Sequence, residues 1–365
     1  MKLISFIVVI ICTIFFSLLS SHQGVAGETS NLFPIIQAGK WGYIDKSGHI
    51  IIKPRFDYAS HFSEGLAVIK INNKWGYIDL TGKVVISAQF DGADGFSEGL
   101  AAVNIGGKGG TRGRWLIEGG KWGFIDKTGK TIITPQYNME WKYSFSEGLR
   151  SVEIEGKYGF IDRAGKVVIG PQFDEAWDFC GGLSPVRIGA KRGYINKSGE
   201  MMIKPQFDRA SHFSEGLAAI EMNNVWGYIN INGEMVIKPK FRMASPFSEG
   251  LACVKKGKYG VLSDGLNWVG MTRYAEEKYG YIDKTGNFII SPRYEYAHNF
   301  SEDLAAVKIS GKYGYIDRTG KIIVEPQFER ASNFSEGLAW VGFGNFVVKG
   351  GYIDRTGKYV WNPTN

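Results

Sequence analysis

One phrase recurs nine times in this chain, at a spacing of about 34 residues. It first reads Lys40-Trp41-Gly42-Tyr43-Ile44-Asp45-Lys46-Ser47-Gly48. It returns at 74–82, 121–129, 157–165, 191–199, 225–233, 278–286, 312–320 and 349–357. A second phrase, Phe62-Ser63-Glu64-Gly65-Leu66-Ala67, links the copies in eight versions. A fixed period of this size marks a repeat architecture, in which each unit buries its apolar face on its neighbours. With 365 residues, the chain is otherwise too long for one ordinary core.

Each unit reads as strands. After the Glu-Gly of the linking phrase, apolar and polar residues alternate, as in Val307-Lys308-Ile309, Val152-Glu153-Ile154 and Ile220-Glu221-Met222. Period two marks a strand with one buried face. A short turn such as Asn72-Asn73 leads to a second strand, Trp75-Gly76-Tyr77-Ile78. Asp79-Leu80-Thr81-Gly82 then gives a turn signal, with an Asx acceptor at its start and Gly where positive φ is needed. Gly holds that slot in all nine units, while the first slot is Asp in seven and Asn at Asn196 and Asn230. Asn keeps the acceptor and loses the charge, so the slot reads as a turn cap rather than an acid catalyst or metal ligand.

The third strand is Val84-Val85-Ile86, Val167-Val168-Ile169 or Ile322-Ile323-Val324, and it usually stops at a proline such as Pro54, Pro135 or Pro239. Proline cannot donate to a ladder and marks an edge or a strand end. The expected fold is all-β: about nine three-stranded antiparallel meanders in an open, twisted, solenoid-like superhelix. Units start near residues 32, 65, 99, 148, 182, 216, 250, 303 and 337. A closed β-propeller is the alternative. It ranks second because nine blades exceed the usual number, blades usually have four strands, and no strand is left over to be exchanged between the ends.

Comparison between units separates core slots from others. Tyr43, Tyr77, Phe124, Phe160, Tyr194, Tyr228, Tyr281, Tyr315 and Tyr352 fill one slot without exception. Burying one such ring contributes up to about 4–6 kcal/mol by area, so these rings are expected to hold the units together. The Trp-Gly pairs, Trp41-Gly42, Trp75-Gly76, Trp122-Gly123 and Trp226-Gly227, read as structural repeat positions. Each glycine is expected to leave room for a ring from a neighbouring strand. The Trp slot also admits Arg192 and Gly350, so it reads as half exposed, a row that suits sugar rings or the sheet rim. The Glu slot, beginning at Glu64 and Glu98, lacks the surrounding oxygens that calcium needs and reads as a hydrogen-bond acceptor within its own turn.

Chemistry-bearing sets are missing. Past the N-terminal segment the histidines are His49, His61, His212 and His298, and none joins a Ser or Cys in a catalytic arrangement. No zinc spacing or phosphate loop occurs, so no catalytic residue, metal site or cofactor is expected. Cys180 and Cys253 occupy different slots and read as unpaired buried thiols. The net charge of +7 is spread rather than clustered and favours anionic partners only weakly. Lys2, the apolar run from Leu3 to Ser20 and the small residues Gly24-Val25-Ala26-Gly27 read as an export signal over 1–27, ahead of an array over 28–365. An uncleaved membrane anchor is the alternative.

Two insertions break the period, both between the first and second strands of their units. One spans 104–120 and carries Lys108, Arg112, Arg114 and Trp115. The other spans 255–278 and carries Lys256, Lys258, Trp268, Arg273 and Tyr274. Insertions in repeats collect on one face, so these nine residues form the candidate partner-binding surface.

Lys-Trp-Gly-Tyr-Ile-Asp, the turn glycine and Phe-Ser-Glu-Gly-Leu together resemble the WG-repeat family of mostly bacterial β-repeat proteins. The resemblance runs from Lys40 to about Val360 and departs at Arg192, Gly350, Phe179-Cys180-Gly181-Gly182 and a decayed copy near Tyr259. It implies an exported or envelope repeat scaffold and carries over no catalytic residues. The expected function is therefore a non-enzymatic scaffold, periplasmic, secreted or on the cell surface, for protein–protein or cell-envelope interactions. A glycan binder using the aromatic row and the basic insertions is the alternative. The partners expected are a protein or an envelope glycan, with no specific nucleic acid, and with membrane contact only through an uncleaved N-terminal segment.

Overall fold

The recurring phrase is the second strand of a small antiparallel sheet, and nine such sheets follow one another along the chain. The structure, a computed structural model, describes residues 32–109, 117–138, 144–257, 277–344 and 349–362. In blade 2 the strands are Tyr58–Ser63, Leu66–Ile71, Lys74–Asp79 and Val84–Phe90, paired in that order. Seven sheets have four strands and two have three. The added strand precedes the first one and is usually two residues long, as at Arg209–Ala210, which pairs with Glu221 and Ile220. Two residues carry no periodicity, which is why a three-stranded unit was the natural reading of the sequence. The seven four-stranded sheets accordingly begin ahead of the unit starts inferred from the linking phrase.

The nine sheets form a closed ring, a nine-bladed β-propeller, and not the open superhelix that the sequence suggested. At the seam, Tyr352 of blade 9 donates its hydroxyl to the Pro34 carbonyl of blade 1 at 3.1 Å. Its ring packs on Phe33, with centroids 5.4 Å apart. Phe33, Ile35, Ile44, Leu338 and Tyr352 make one buried cluster there. Blade 1 uses the strands Phe33–Gln37, Lys40–Ile44 and Ile50–Phe56, all contiguous in sequence. Closure therefore needs no exchanged strand, and a sequence offset was the wrong signal to look for.

The apolar core lies between blades rather than within them. One cluster joins Tyr77, Ile86 and Phe90 of blade 2 to Phe96, Ala101 and Ile125 of blade 3. The aromatic residue of this slot, Tyr in seven units and Phe at 124 and 160, packs at each joint, and the tyrosines do two things there. Its ring meets the Phe of the next linking phrase, at 4.9 Å for Tyr43–Phe62 and for Tyr228–Phe247. Its hydroxyl donates to a carbonyl of that next connection: Tyr43 to Ser60 at 2.7 Å, Tyr194 to Ser211 at 2.7 Å, and Tyr228 to Ser245 at 2.8 Å. Phe160 lacks the hydroxyl, and Ser184 Oγ bonds the corresponding carbonyl of Trp177 instead, at 2.6 Å. Tyr228→Phe is expected to cost about 1–1.5 kcal/mol, because it orphans the Ser245 carbonyl while keeping the ring. Denaturant titration of the two proteins checks this, and equal midpoints would show the hydroxyl to be idle.

The glycine after the tryptophan is explained by backbone rather than by an aromatic ring. The third strand crosses directly over it. A Cβ added at Gly42 would lie 2.6 Å from the Pro54 nitrogen and closer still to the Ile52 carbonyl. At Gly227 the Pro239 nitrogen would be 2.7 Å away, again with a carbonyl, that of Ile237, nearer. The turn that joins these strands follows the sequence reading. Gly82 N–H donates to the Asp79 carbonyl at 2.9 Å, and Asp79 Oδ1 accepts Thr81 N–H at 2.9 Å. These bonds hold the Asp79 carboxyl below its ordinary range, led by the Thr81 hydroxyl.

Candidate functional site

The linking phrases make a belt that runs from blade 2 to blade 9. Ser63 Oγ donates to the Phe96 carbonyl at 2.6 Å, Ser97 to Phe145 at 2.8 Å, Ser146 to Phe179 at 2.7 Å and Ser214 to Phe247 at 2.7 Å. Cys180 takes the serine's place, with Sγ 3.2 Å from the Phe213 carbonyl. Near-equivalent atoms of successive blades touch here, which in a closed ring puts the belt close to the axis.

The glutamates belong to this belt, and six of the seven accept a backbone N–H of the next blade rather than of their own turn; Glu336, at the seam, has a buried Oε2 with no partner. Glu64 accepts Gly99 N–H at 3.0 Å, Glu98 accepts Gly148 N–H at 2.9 Å, and Glu302 accepts Gly337 N–H at 2.9 Å. All seven sit at positive φ, from 51° at Glu64 to 54° at Glu336. That conformation costs a non-glycine residue about 1–2 kcal/mol, so the side chain's bond is what justifies the residue. A cation from the following blade's turn completes most of these joints. Lys127 Nζ lies 2.9 Å from the Glu64 carbonyl and 3.1 Å from its carboxylate, and Lys284 does the same at Glu215. Where Gly181 replaces Glu, the matching cation is replaced too, by Ile231.

The belt also holds an ionisable group that slot comparison could have revealed. Arg150 is 1% exposed in a slot that holds Ala101, Ala218 and Ala305 elsewhere. Asp178 keeps some exposed surface, but its Oδ1 is buried without a hydrogen-bond partner. Burial pushes its carboxyl up to about 7, against the pull of Arg150 and with the push of Glu98. His212 donates a ring hydrogen bond to the Asp178 backbone, and burial pushes the imidazole down. These residues lie in successive blades, 4, 5 and 6.

The opposite face carries the turns between first and second strands. There Lys40 pairs with Asp57 at 2.6 Å and Lys74 with Asp91 at 2.6 Å, and each aspartate also caps the turn, Asp57 accepting Asn72 N–H at 2.8 Å. In blade 3 the hairpin lengthens to strands Leu100–Gly109 and Ile117–Asp126, ten residues each. Lys108 is exposed on it, and Lys256 is exposed at the end of Ala252–Lys256 in blade 7. The two lysines share a face but stand four blades apart, so they do not form one cluster. Arg112, Arg114, Trp115, Lys258, Trp268, Arg273 and Tyr274 lie outside the described residues.

The aromatic row is more buried than its sequence variation suggested. Trp75, Trp122 and Tyr279 are buried, while Trp41, Tyr158, Trp226 and Tyr313 are half-buried. Tyr58 lies between Trp41 and Trp75, at 5.1 and 5.4 Å. The two odd members are accommodated by local swaps. Arg192 stacks over Trp177 at 4.4 Å and reaches Glu175 at 3.1 Å. The Trp340 ring occupies the space above Gly350.

A closed ring of antiparallel blades with its core between them defines the class: this is a β-propeller, with nine blades. The chain matches the family described as WG containing repeat at residues 41–75, 75–108, 122–158, 158–191, 193–226, 226–259, 279–313 and 313–345, and it belongs to that family. Among solved structures it is similar to Kluyveromyces lactis Hsv2 with loop 6CD replaced by a Gly-Ser linker, at 10% identity and TM-score 0.37, over 64% of this chain and 91% of that one. It is also similar to PorZ, a surface component of the type-IX secretion system of Porphyromonas gingivalis, at 10% identity and TM-score 0.28, over 91% of this chain and 57% of that one. The extracellular domain of BT4673 from B. thetaiotaomicron gives 10% identity and TM-score 0.33, over 90% of this chain and 54% of that one. No curated protein matches the chain.

Proposed function

We propose that this protein is an exported, non-enzymatic binding scaffold whose partner docks on the face that carries the two insertions of the sequence. One observation carries the reading. The charged groups of the blades are largely engaged in joints and turns, whereas blade 3 extends its hairpin well past the six-residue strands of blade 2. Blade 7 carries the second insertion on the same face, nearly across the ring. A ring that carries two basic insertions in its sequence, on one face, suits an extended or multivalent partner better than a small substrate.

A glycan of the cell envelope is the favoured partner on a second observation. Trp41, Trp226 and Tyr313 are half-buried near this face, with Lys308 5.6 Å over the Tyr313 ring. A ring flanked by a cation grips acidic sugars through stacking and charge together. Binding to a panel of acidic and neutral glycans tests this. Trp115→Ala and Trp268→Ala are each expected to weaken the best ligand about tenfold. An affinity untouched by both would reject the hairpin surface, and an inert panel alongside specific protein capture by the same hairpins would favour a protein partner.

A further inference from the structure

The belt is one unit short. Eight linking phrases serve nine blades, and blade 1 has none. Both ends of the run register this. In blade 9, Glu336 Oε2 is buried without a partner, and Ser335 is exposed, its hydroxyl unbonded among the described residues. The six other serines of that slot, from Ser63 to Ser301, are half-buried, and each donates to the phenylalanine carbonyl of the next blade. In blade 2, Phe62 is half-buried, whereas its seven counterparts from Phe96 to Phe334 are buried. Among the described residues no hydroxyl reaches the Phe62 carbonyl.

Strand pairing fixes the register of the chain that enters blade 1. Phe33 faces Ile44 as Ala67 faces Ile78, so Leu32 takes the slot of Leu66. Counting back, Glu28, Thr29, Ser30 and Asn31 take the slots of Phe62, Ser63, Glu64 and Gly65. Thr29 keeps the hydroxyl. Asn31 stands where Gly65 has a φ of 85°, and Asp303 fills that slot at 62° in blade 8, so a short polar side chain is accepted there. The Glu slot is checked by its cation, which comes from the turn of the following blade: Lys127 for Glu64, Lys284 for Glu215, Arg318 for Glu249. Where Gly181 replaces the acid, Ile231 replaces the cation. Leu80 of blade 2 is the one other apolar residue in the cation slot, and the acid slot it would serve is that of Ser30. Blade 1 keeps its cation, Lys46, for Glu336. Burial pushes the Glu336 carboxyl up, and Lys46 draws it down.

We infer that Glu28-Thr29-Ser30-Asn31, just ahead of the described residues, docks at the seam as the ninth linking turn, with the Asn31 N–H donating to Glu336, the Ser335 hydroxyl to the Glu28 carbonyl and the Thr29 hydroxyl to the Phe62 carbonyl. Its backbone supplies what the two ends of the belt need, a donor for a buried carboxylate and an acceptor for a hydroxyl. The occupant is this chain's own segment, because Leu32 delivers it to the site at an effective concentration that a separate partner does not match. Glu28 in the phenylalanine slot is tolerated, since Phe33 already makes the ring contact with Tyr352. The segment thus straps blade 9 to blade 2 across the one joint that the covalent chain does not bridge.

The test reads amide exchange and stability in the full chain. The Asn31 amide is expected to exchange slowly, and Glu336→Ala is expected to speed it at least about fivefold. Asn31→Pro removes the same donor and forbids the left-handed backbone. Each single variant is expected to lower the melting midpoint, and the double variant to lower it no further than the more harmful single one, because both remove one bond. Neither position lies in an inter-blade core, and a parent-like near-ultraviolet dichroism spectrum confirms the fold of each variant. An Asn31 amide that exchanges like that of an unstructured peptide overturns the inference, as does one whose rate ignores the Glu336 carboxylate. Additive losses in the double variant overturn it too. Protection that appears only as protein concentration rises would assign the site to a second copy and overturn it equally.

Discussion

Gly227→Ala is expected to cost the ring about 3 kcal/mol or more, a large share of the about 5–15 kcal/mol that holds a typical domain. The added methyl meets the Ile237 carbonyl and the Pro239 nitrogen. Both are backbone atoms of the crossing third strand, so no rotamer change relieves the overlap. Relief requires the strand to lift, and that strand carries Ile237 and Phe241 into the core shared with blade 7. Gly170→Ala is the control. Nothing lies within 4 Å of its added carbon and its φ is not in the left-handed region, so it is expected to stay within about 0.5 kcal/mol of the parent. Chemical denaturation of the two variants side by side decides it. Two curves that superimpose would mean that the close crossing is not what keeps glycine in that slot.

Tyr352→Ala is expected to cost about 3–5 kcal/mol and to loosen the ring at one place. The residue is 5% exposed and supplies both the ring contact with Phe33 and the bond to Pro34. Every other joint is also tethered by continuous chain, whereas blades 9 and 1 meet only through non-covalent contact. Loss of this side chain should therefore raise amide exchange in Phe33–Gln37 before it does so in the strands of blade 5, and should increase the radius of gyration measured by solution scattering. Tyr352→Phe keeps the ring packing and should lose only about 1–1.5 kcal/mol. Scattering and exchange both unmoved in the alanine variant would mean that the seam is held by something else.

The parts of this fold that were legible in sequence are those that repeat in one unit. The slot of Tyr228 is aromatic in every unit because it completes a joint that occurs all round the ring, and Asp79 reads as a turn cap because its bonds are local. Closure was not legible. The contacts that close the ring, Phe33 with Tyr352, are ordinary joint contacts between residues 319 positions apart, and no local pattern distinguishes them from contacts between neighbours. The short strand at Arg209–Ala210 was missed because two residues carry no period. The glycine slot was noticed and given the wrong neighbour, since a crossing backbone leaves no residue type as its signature. At the candidate site, the substitutions of Ala by Arg at Arg150 and of Glu by Gly at Gly181 were visible in sequence. Their meaning depended on knowing which slots face the belt and which face solvent.

Blade 9 meets blade 1 through a hydroxyl-to-carbonyl bond and an edge-on aromatic pair, the same two devices used between Tyr228 and the following blade. The molecule is thus a loop in space while remaining a line in covalent terms. The seam is marked by what blade 1 lacks, a fourth strand and a linking phrase, while its ring contact and hydroxyl bond are those of the other joints. The number of modules is what the geometry fixes. An additional copy would change the angle required at every joint at once, whereas a shifted break would change only the order in which the modules leave the ribosome.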